Sequence, residues 1–197
     1  MAEYDLKLLQ KEMKEALNED RFEHTLGVMY TAESLAMRYG VDMTKAAVAG
    51  LLHDCAKCMD NAKKIQICEK HNIPVNDVER KNPSLLHAKA GSFIAMDTYG
   101  ITDTDIINAI LNHTTGRPNM SLLEKIIYVA DYIEPNRTKA PNLSEIRKLA
   151  FSDLNKALLM ILSDTLTYLT AGGGDIAPMT RKAYEYYQET LNTPVQN

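Results

Sequence analysis

Apolar residues recur at helical spacing along almost the whole chain, and no convincing period-two alternation interrupts them. The pattern predicts an all-α fold. Leu154, Ala157, Leu158, Ile161, Leu162, Thr165, Leu166 and Leu169 follow the i, i+3, i+4, i+7 rhythm of one long helix with a single buried stripe. Its last turn runs into Gly172-Gly173-Gly174, and glycine ends a helix readily because it tolerates positive φ just past the last turn. Ser121-Leu-Leu-Glu124 reads as a capping box and Asn142-Leu-Ser-Glu145 as a looser version of one. Breaks fall near Gly40, Pro74, Pro83, Gly100, Gly116-Arg-Pro118, Pro135, Pro141 and Pro178. Together these boundaries give about eight to ten helices, several of them short. No repeat, low-complexity tract or flexible linker marks a second domain. Residues 1–197 are therefore expected to form one helical bundle, in which 1–20 carries an N-terminal helix packed across the core.

Composition adds limits rather than an activity. With 45% hydrophobic and 24% charged residues, a chain of 197 residues has material for one sizeable core. A net charge of −4 argues against a nucleic-acid partner held on a broad basic face, yet allows a local Lys/Arg cluster that grips a phosphorylated small molecule. The stretch MAEYDLKLLQKEMKEALNED lacks the apolar core of a signal peptide. No segment approaches the roughly 20 apolar residues of a membrane span. A cytoplasmic protein without a membrane partner is expected. Three cysteines, Cys55, Cys58 and Cys68, do not make a disulfide framework. Cys55-Ala-Lys-Cys58 has neither a second pair to complete a zinc site nor the βαβ context of a redox motif, so chance accounts for the spacing.

The chemistry lies in polar residues that interrupt apolar stripes. His53-Asp54 ends the apolar run in AGLLHDCAKCMD, with Lys57 three residues on; His24, His87, His113 and Asp131 stand elsewhere in similarly apolar surroundings. His24 shares a helix face with Val28, Thr31 and Leu35. Asp131 sits among Ile127, Val129, Ala130 and Ile133, where a lone carboxylate would carry a large desolvation penalty. Taken singly, His24 reads as a hydrogen-bonded core histidine and Asp131 as a structural acid. As a set they read as metal ligands. Imidazole and carboxylate donors together suit iron, manganese, zinc or cobalt better than magnesium or calcium. Three or four protein ligands leave positions for water and a substrate oxygen, as a hydrolytic centre requires. His71, in EKHNIP, lacks such a context and reads as a surface residue.

The order His24, His53-Asp54, Asp131 resembles the signature of the HD-domain superfamily of metal-dependent phosphohydrolases. HDCAK at 53–57, NHTTGR at 112–117, ADYIEPNR at 130–137 and the helical segment after YLT resemble, more narrowly, its YqeK-type members, the symmetrical bis(5'-nucleosyl)-tetraphosphatases. That likeness runs from about 21 to about 187. It implies a metal set of His24, His53, Asp54 and Asp131, with iron preferred and manganese, cobalt or zinc compatible. The implied reaction splits diadenosine tetraphosphate into two ADP. Asp54, Lys57, His87 and His113 form the implied catalytic set. A single metal with both latter histidines near the phosphates is preferred over a dinuclear centre.

The implied phosphate contacts are Lys57, His87, His113, Thr114, Thr115 and Arg137. Arg137 offers a planar donor fork, and Lys57 reaches the metal side if its helix continues one turn. A solvated face is the competing reading for both. By the same resemblance Ala171, Gly172, Gly173, Gly174, Asp175 and Ile176 lie against the nucleotide, although no GxxxxGK phosphate loop is present. Two other functions stay open: hydrolysis of deoxynucleotides or guanosine polyphosphates, and catalytically silent nucleotide sensing. A small nucleotide is the expected partner, and a homodimer the expected assembly.

Overall fold

The side chains of Asp5, Asn18, Asp42, Asp60, Asn76, Asp103, Ser121 and Asp153 each close a helix N-terminus. The computed structural model describes residues 4–192, so residues 1–3 and 193–197, including the outer ends of the expected 1–197 domain, lie outside the description. Its helices are α1 (Leu6–Ala16), α2 (Glu19–Tyr39), α3 (Met43–Leu52), α4 (Asn61–Lys70), α5 (Asp77–Lys81), α6 (His87–Asp97), α7 (Thr104–Asn112), α8 (Leu122–Ile133), α9 (Leu143–Ser152), α10 (Leu154–Ala171) and α11 (Pro178–Asn192), with a 3-10 turn at Pro83–Leu86. The described residues contain no strand, and the all-α expectation holds. Eleven helices exceed the expected eight to ten because short pieces such as the five-residue α5 stand alone, closed by an Asn76/Glu79 capping box. None of the helices is long and apolar enough to cross a membrane.

Ser121 and Glu124 form the expected capping box. Asn142 does not. It adopts φ 52 and makes no side-chain cap; its amide instead donates to Asp164 Oδ1 and Oδ2 at 2.9 and 3.1 Å. The looser capping box at Asn142–Glu145 is therefore absent. A carboxylate distant in sequence has won the side chain that local spacing assigns to the helix end.

The core sits where α2, α3, α7 and α8 pack together, with Val28, Met29, Leu35, Leu51, Leu52, Ile106, Ile110, Ile126 and Ile127 essentially sealed from solvent. Each such side chain contributes about 1.5–3 kcal/mol by burial. α1 lies against α2 and α3, and α9, α10 and α11 add a layer beyond α8. The long apolar stripe of α10 is buried through Leu162, but Thr165, Leu166 and Leu169 are only half-buried. Beyond Leu162 the helix outruns the core and walls a cavity.

Candidate metal centre

Three of the predicted histidines stand at helix ends, which fixes their chemistry. His53 follows α3, His87 opens α6 after the 3-10 turn, and His113 follows α7. In each, Nδ1 lies against the carbonyl three residues earlier: Gly50 at 2.7 Å, Ser84 at 2.6 Å and Ile110 at 2.7 Å. A carbonyl only accepts, so Nδ1 carries the proton and the Nε2 lone pair is free to bind. His24 comes from α2 and Asp131 from α8. Helix termini and two helix faces thus deliver five polar side chains to one place.

Ligand atoms of His24, His53 and Asp131 lie within 4.8 Å of one another, as do those of His53, Asp54 and His113. Buried His24 Nε2, His53 Nε2 and Asp54 Oδ1 have no hydrogen-bond partner. His24 Nε2 stands 3.1 Å from Asp131 Oδ1 without hydrogen-bond geometry. Unsatisfied polar atoms at such depth are costly, and a cation among them satisfies all three. The donor set of neutral imidazoles and carboxylates therefore fits a divalent transition metal.

The electrostatics agree. Burial pushes His53 down to about 4 and, against the opposing contact with Asp54, holds His87 below its usual value. Both imidazoles are neutral near pH 7. Burial opposes charge on Asp54 and Asp131, yet the surrounding histidines outweigh it and keep both acids well below the usual carboxylate range. At His24, burial is outweighed by Asp131 and Glu134, which raise its value. That corner favours positive charge.

His87 and His113 approach with Nε2 atoms 3.1 Å apart, and Thr114 Oγ1 is 3.0 Å from each. Asp54 Oδ1 lies 3.2 and 3.4 Å from the same two nitrogens. Lys57 is not on a continued helix, since residues 53–59 form successive turns. The hydrogen bond from Lys57 N–H to Asp54 O, 2.8 Å long, nonetheless folds it back, leaving Nζ 3.1 Å from His87 Nε2 and 3.6 Å from Asp54 Oδ1.

Arg137 turns inward as well. Its Nε and Nη2 donate to the Asp131 carbonyl at 3.1 and 2.9 Å, and Nη2 also meets Asp131 Oδ1 at 3.1 Å, while the side chain keeps 36% exposure. Arg137, Thr114 and Thr115 line a cavity of about 680 Å³ beside the metal cluster. Of the stretch 171–176, Asp175 alone lines that cavity, held by Lys81 at 2.9 Å. Gly172, Gly173 and Gly174 are exposed at the end of α10, where Gly173 takes φ 65; Ala171 faces a separate shallow pocket with Leu166 and Tyr184, and Ile176 is half-buried.

Sequence reasoning missed the groups that brace the ligands. Arg21, three residues before His24 on α2, donates from Nη1 to Asp54 Oδ2 at 2.9 Å. Glu134, buried at the end of α8, places Oε1 3.2 Å from His24 Nδ1 and accepts the Asn136 N–H through Oε2 at 2.7 Å. Gly27 makes room for it, since a Cβ there would stand 2.5 Å from Glu134 Oε2. Arg147 donates to the carbonyls of Ile133, Glu134 and Arg137 at 2.9, 2.7 and 3.0 Å, fixing the loop that carries Arg137. The helical spacing of Arg21 and Gly27 about His24 was the one available signal. Glu134→Gln is expected to weaken metal affinity about 10- to 100-fold, the usual effect of losing a carboxylate behind a ligating histidine. Metal titration followed by calorimetry measures it, and unchanged affinity would remove Glu134 from the site.

Outside the cluster, His71 stacks on Phe93 with ring centroids 3.8 Å apart. The Cys55 thiol is buried, bonded to Gly91 O at 3.5 Å and pushed up to about 12 by burial, so it stays protonated and unreactive. Cys58 is exposed and free.

Histidines and aspartates converging between helices, with a cavity alongside, define an all-helical metal-binding domain of hydrolytic type. The HD domain family model matches residues 21–136, and the chain belongs to that family. It is 43% identical over 174 residues to the symmetrical bis(5'-nucleosyl)-tetraphosphatase of Bacillus subtilis (strain 168), covering 88% of this chain and 92% of the relative. It is 37% identical over 176 residues to the enzyme of the same name from Staphylococcus aureus (strain NCTC 8325 / PS 47), with 88% and 90% covered. A crystal structure from Clostridium acetobutylicum, described as a predicted HD superfamily hydrolase involved in NAD metabolism, superposes with a TM-score of 0.92 at 44% identity, covering 96% of this chain and 100% of that one.

Proposed function

We propose that this chain hydrolyses dinucleoside polyphosphates, cleaving diadenosine tetraphosphate symmetrically into two ADP. The observation that carries the reading is the set of unpaired buried ligand atoms on His24, His53 and Asp54 beside a nucleotide-sized cavity. The named relatives supply the substrate. We assign one iron ion to His24, His53, Asp54 and Asp131, with manganese, cobalt or zinc as compatible replacements. A divalent ion held there supplies Lewis-acid polarisation of a phosphate oxygen and lowers the pKa of a water.

The chain's own residues supply the rest. A water oxygen attacks one of the two central phosphorus atoms, the bridging P–O bond breaks, and the bridging oxygen leaves with the second ADP. Asp54 Oδ1 orients the attacking water. Lys57 Nζ, 3.6 Å from Asp54, offsets charge gathering on the reacting phosphate. His87, His113 and Thr114 present two imidazoles and a hydroxyl to a second phosphate edge, and Thr115 lines the same wall. Arg137 contacts the phosphates on its exposed side while bracing Asp131. The same reading places the enzyme in the cytoplasm, as a homodimer acting on a small nucleotide rather than a nucleic acid.

Product analysis tests it. Iron- or manganese-loaded protein incubated with diadenosine tetraphosphate is expected to yield ADP alone. ATP plus AMP would overturn symmetrical cleavage. Intact substrate alongside turnover of deoxynucleotides or guanosine polyphosphates would assign a different HD-type hydrolase, and retained metal with no turnover of any nucleotide would leave a sensor. Arg137→Ala is expected to lower turnover roughly 10²-fold, the scale of losing one charge-stabilising donor, with bound metal retained. Release of metal on that substitution would recast Arg137 as a support for Asp131.

A further inference from the structure

The cavity beside the metal cluster is charged unevenly. Thr114, Thr115, Arg137 and Lys139 line part of it and suit phosphates, whereas α10 contributes Asp164, Thr165, Tyr168 and Leu169. A carboxylate there is wrong for phosphate. It is an acceptor-only group, and it needs donors on whatever enters.

Asp164 is held in place at the expense of a helix cap. Asn142 takes φ 52 and leaves α9 uncapped so that its amide can donate to both Asp164 oxygens, at 2.9 and 3.1 Å. Each oxygen keeps lone-pair capacity for a further donor. Tyr132, next in sequence to the metal-site Asp131, lines the same cavity. Asp164 lies two residues past Leu162, the last buried position of α10, and so stands nearer the core than Tyr168. Tyr168 lies four residues further along α10, about 6 Å on the same helix face. It lines the cavity while 76% exposed, an aromatic ring with little packed against it.

Resting on the reading of this chain as a dinucleoside tetraphosphate hydrolase, we propose that Asp164 and Tyr168 form its nucleoside subsite. Asp164, oriented by Asn142, accepts hydrogen bonds from the vicinal 2′- and 3′-hydroxyls of one ribose, and Tyr168 stacks on the attached base. The order phosphate, sugar, base then matches Arg137 and Thr114, Asp164, and Tyr168. Such a site selects ribonucleotides over deoxynucleotides because each missing hydroxyl leaves the carboxylate short of one donor. It tolerates different bases, since stacking requires only a π-face.

Steady-state kinetics on the metal-loaded enzyme, with diadenosine tetraphosphate and its bis(2′,3′-dideoxy) counterpart, test this. The wild type is expected to favour the ribose substrate about 10- to 100-fold in kcat/KM, the range for hydrogen bonds to a charged group. Asp164→Asn should bring that preference close to one. Tyr168→Ala should raise KM about tenfold for both substrates, and Tyr168→Phe should recover most of the loss. Equal kcat/KM for the two substrates in the wild type would overturn the proposal, as would an Asp164→Asn variant that keeps the preference. Calorimetric binding of ADP against 2′,3′-dideoxy-ADP separates the subsite from the reaction. Selective binding of ADP without turnover would support the subsite and overturn the hydrolase reading, and equal binding would overturn the subsite whatever the turnover.

Discussion

Asp54→Ala is expected to strip the bound metal and lower turnover by more than about 10³-fold, beyond the loss typical of a single charge-stabilising donor, while leaving helical content near that of the wild type. Asp54 is 2% exposed and stands at the hub of the site. Its Oδ1 lies 3.2 Å from His87, 3.4 Å from His113 and 3.6 Å from Lys57, and its Oδ2 accepts from Arg21 at 2.9 Å. Alanine removes the negative charge that Arg21, Lys57 and the metal share, leaving Arg21 and Lys57 facing the ion without their carboxylate partner. The backbone has less at stake. Asp54 follows α3 rather than lying within it, and the turn to Lys57 closes through its main-chain carbonyl. Elemental analysis, far-ultraviolet circular dichroism and turnover on one preparation separate loss of metal from loss of fold. Near-normal metal content or turnover would remove Asp54 from the centre.

The same residues mark what the sequence displays and what it conceals. Apolar periodicity and side-chain caps are local, so α8 with its Ser121/Glu124 box and α10 with its stripe are legible from spacing alone. Asn76 and Asn142 show the limit. Each precedes a Glu by three residues, yet Asn76 builds a full capping box while Asn142 turns to Asp164, a competitor 22 residues downstream. Histidines in apolar runs flag the ligands, because an unpaired imidazole or carboxylate is costly there. Their convergence from α2, α3, α7 and α8 is a tertiary fact. So are the contacts of Glu134 with His24 and of Arg21 with Asp54, which depend on residues 110 and 33 positions apart meeting. The glycine run is legible as a helix end: Gly173 takes φ 65 past the last turn of α10, and Asp175 just beyond it lines the cavity together with side chains one to two turns earlier.

Gly50→Val is expected to lower the melting temperature by about 6–12 °C, from an overpacking cost of about 3 kcal/mol and a response of about 2–4 °C per kcal/mol for a chain this size. It should weaken metal binding at the same time. Gly50 lies in α3 where α2 crosses it: a Cβ there would stand 2.8 Å from Met29 Cα and 3.2 Å from Met29 N. Those are backbone atoms of a buried helix, so no side-chain rotation relieves the clash and the helices must separate. The separation reaches the metal directly. His24 lies five residues before Met29 on α2, His53 lies three residues after Gly50, and the Gly50 carbonyl accepts the Nδ1–H of His53 at 2.7 Å. Moving α3 from α2 therefore spreads two ligands and tilts one imidazole. Gly50→Ala should show a smaller loss, because about 1 kcal/mol of better helix propensity offsets part of the strain. Gly172→Ala is the control: φ is −77 and its nearest neighbour would be Tyr168 O at 3.5 Å, so its stability should stay within about 0.5 kcal/mol of wild type. Calorimetric melting with and without added manganese reads both effects, and a Gly50→Val protein with unchanged melting temperature and metal affinity would show that the α2–α3 contact does not set the ligand spacing.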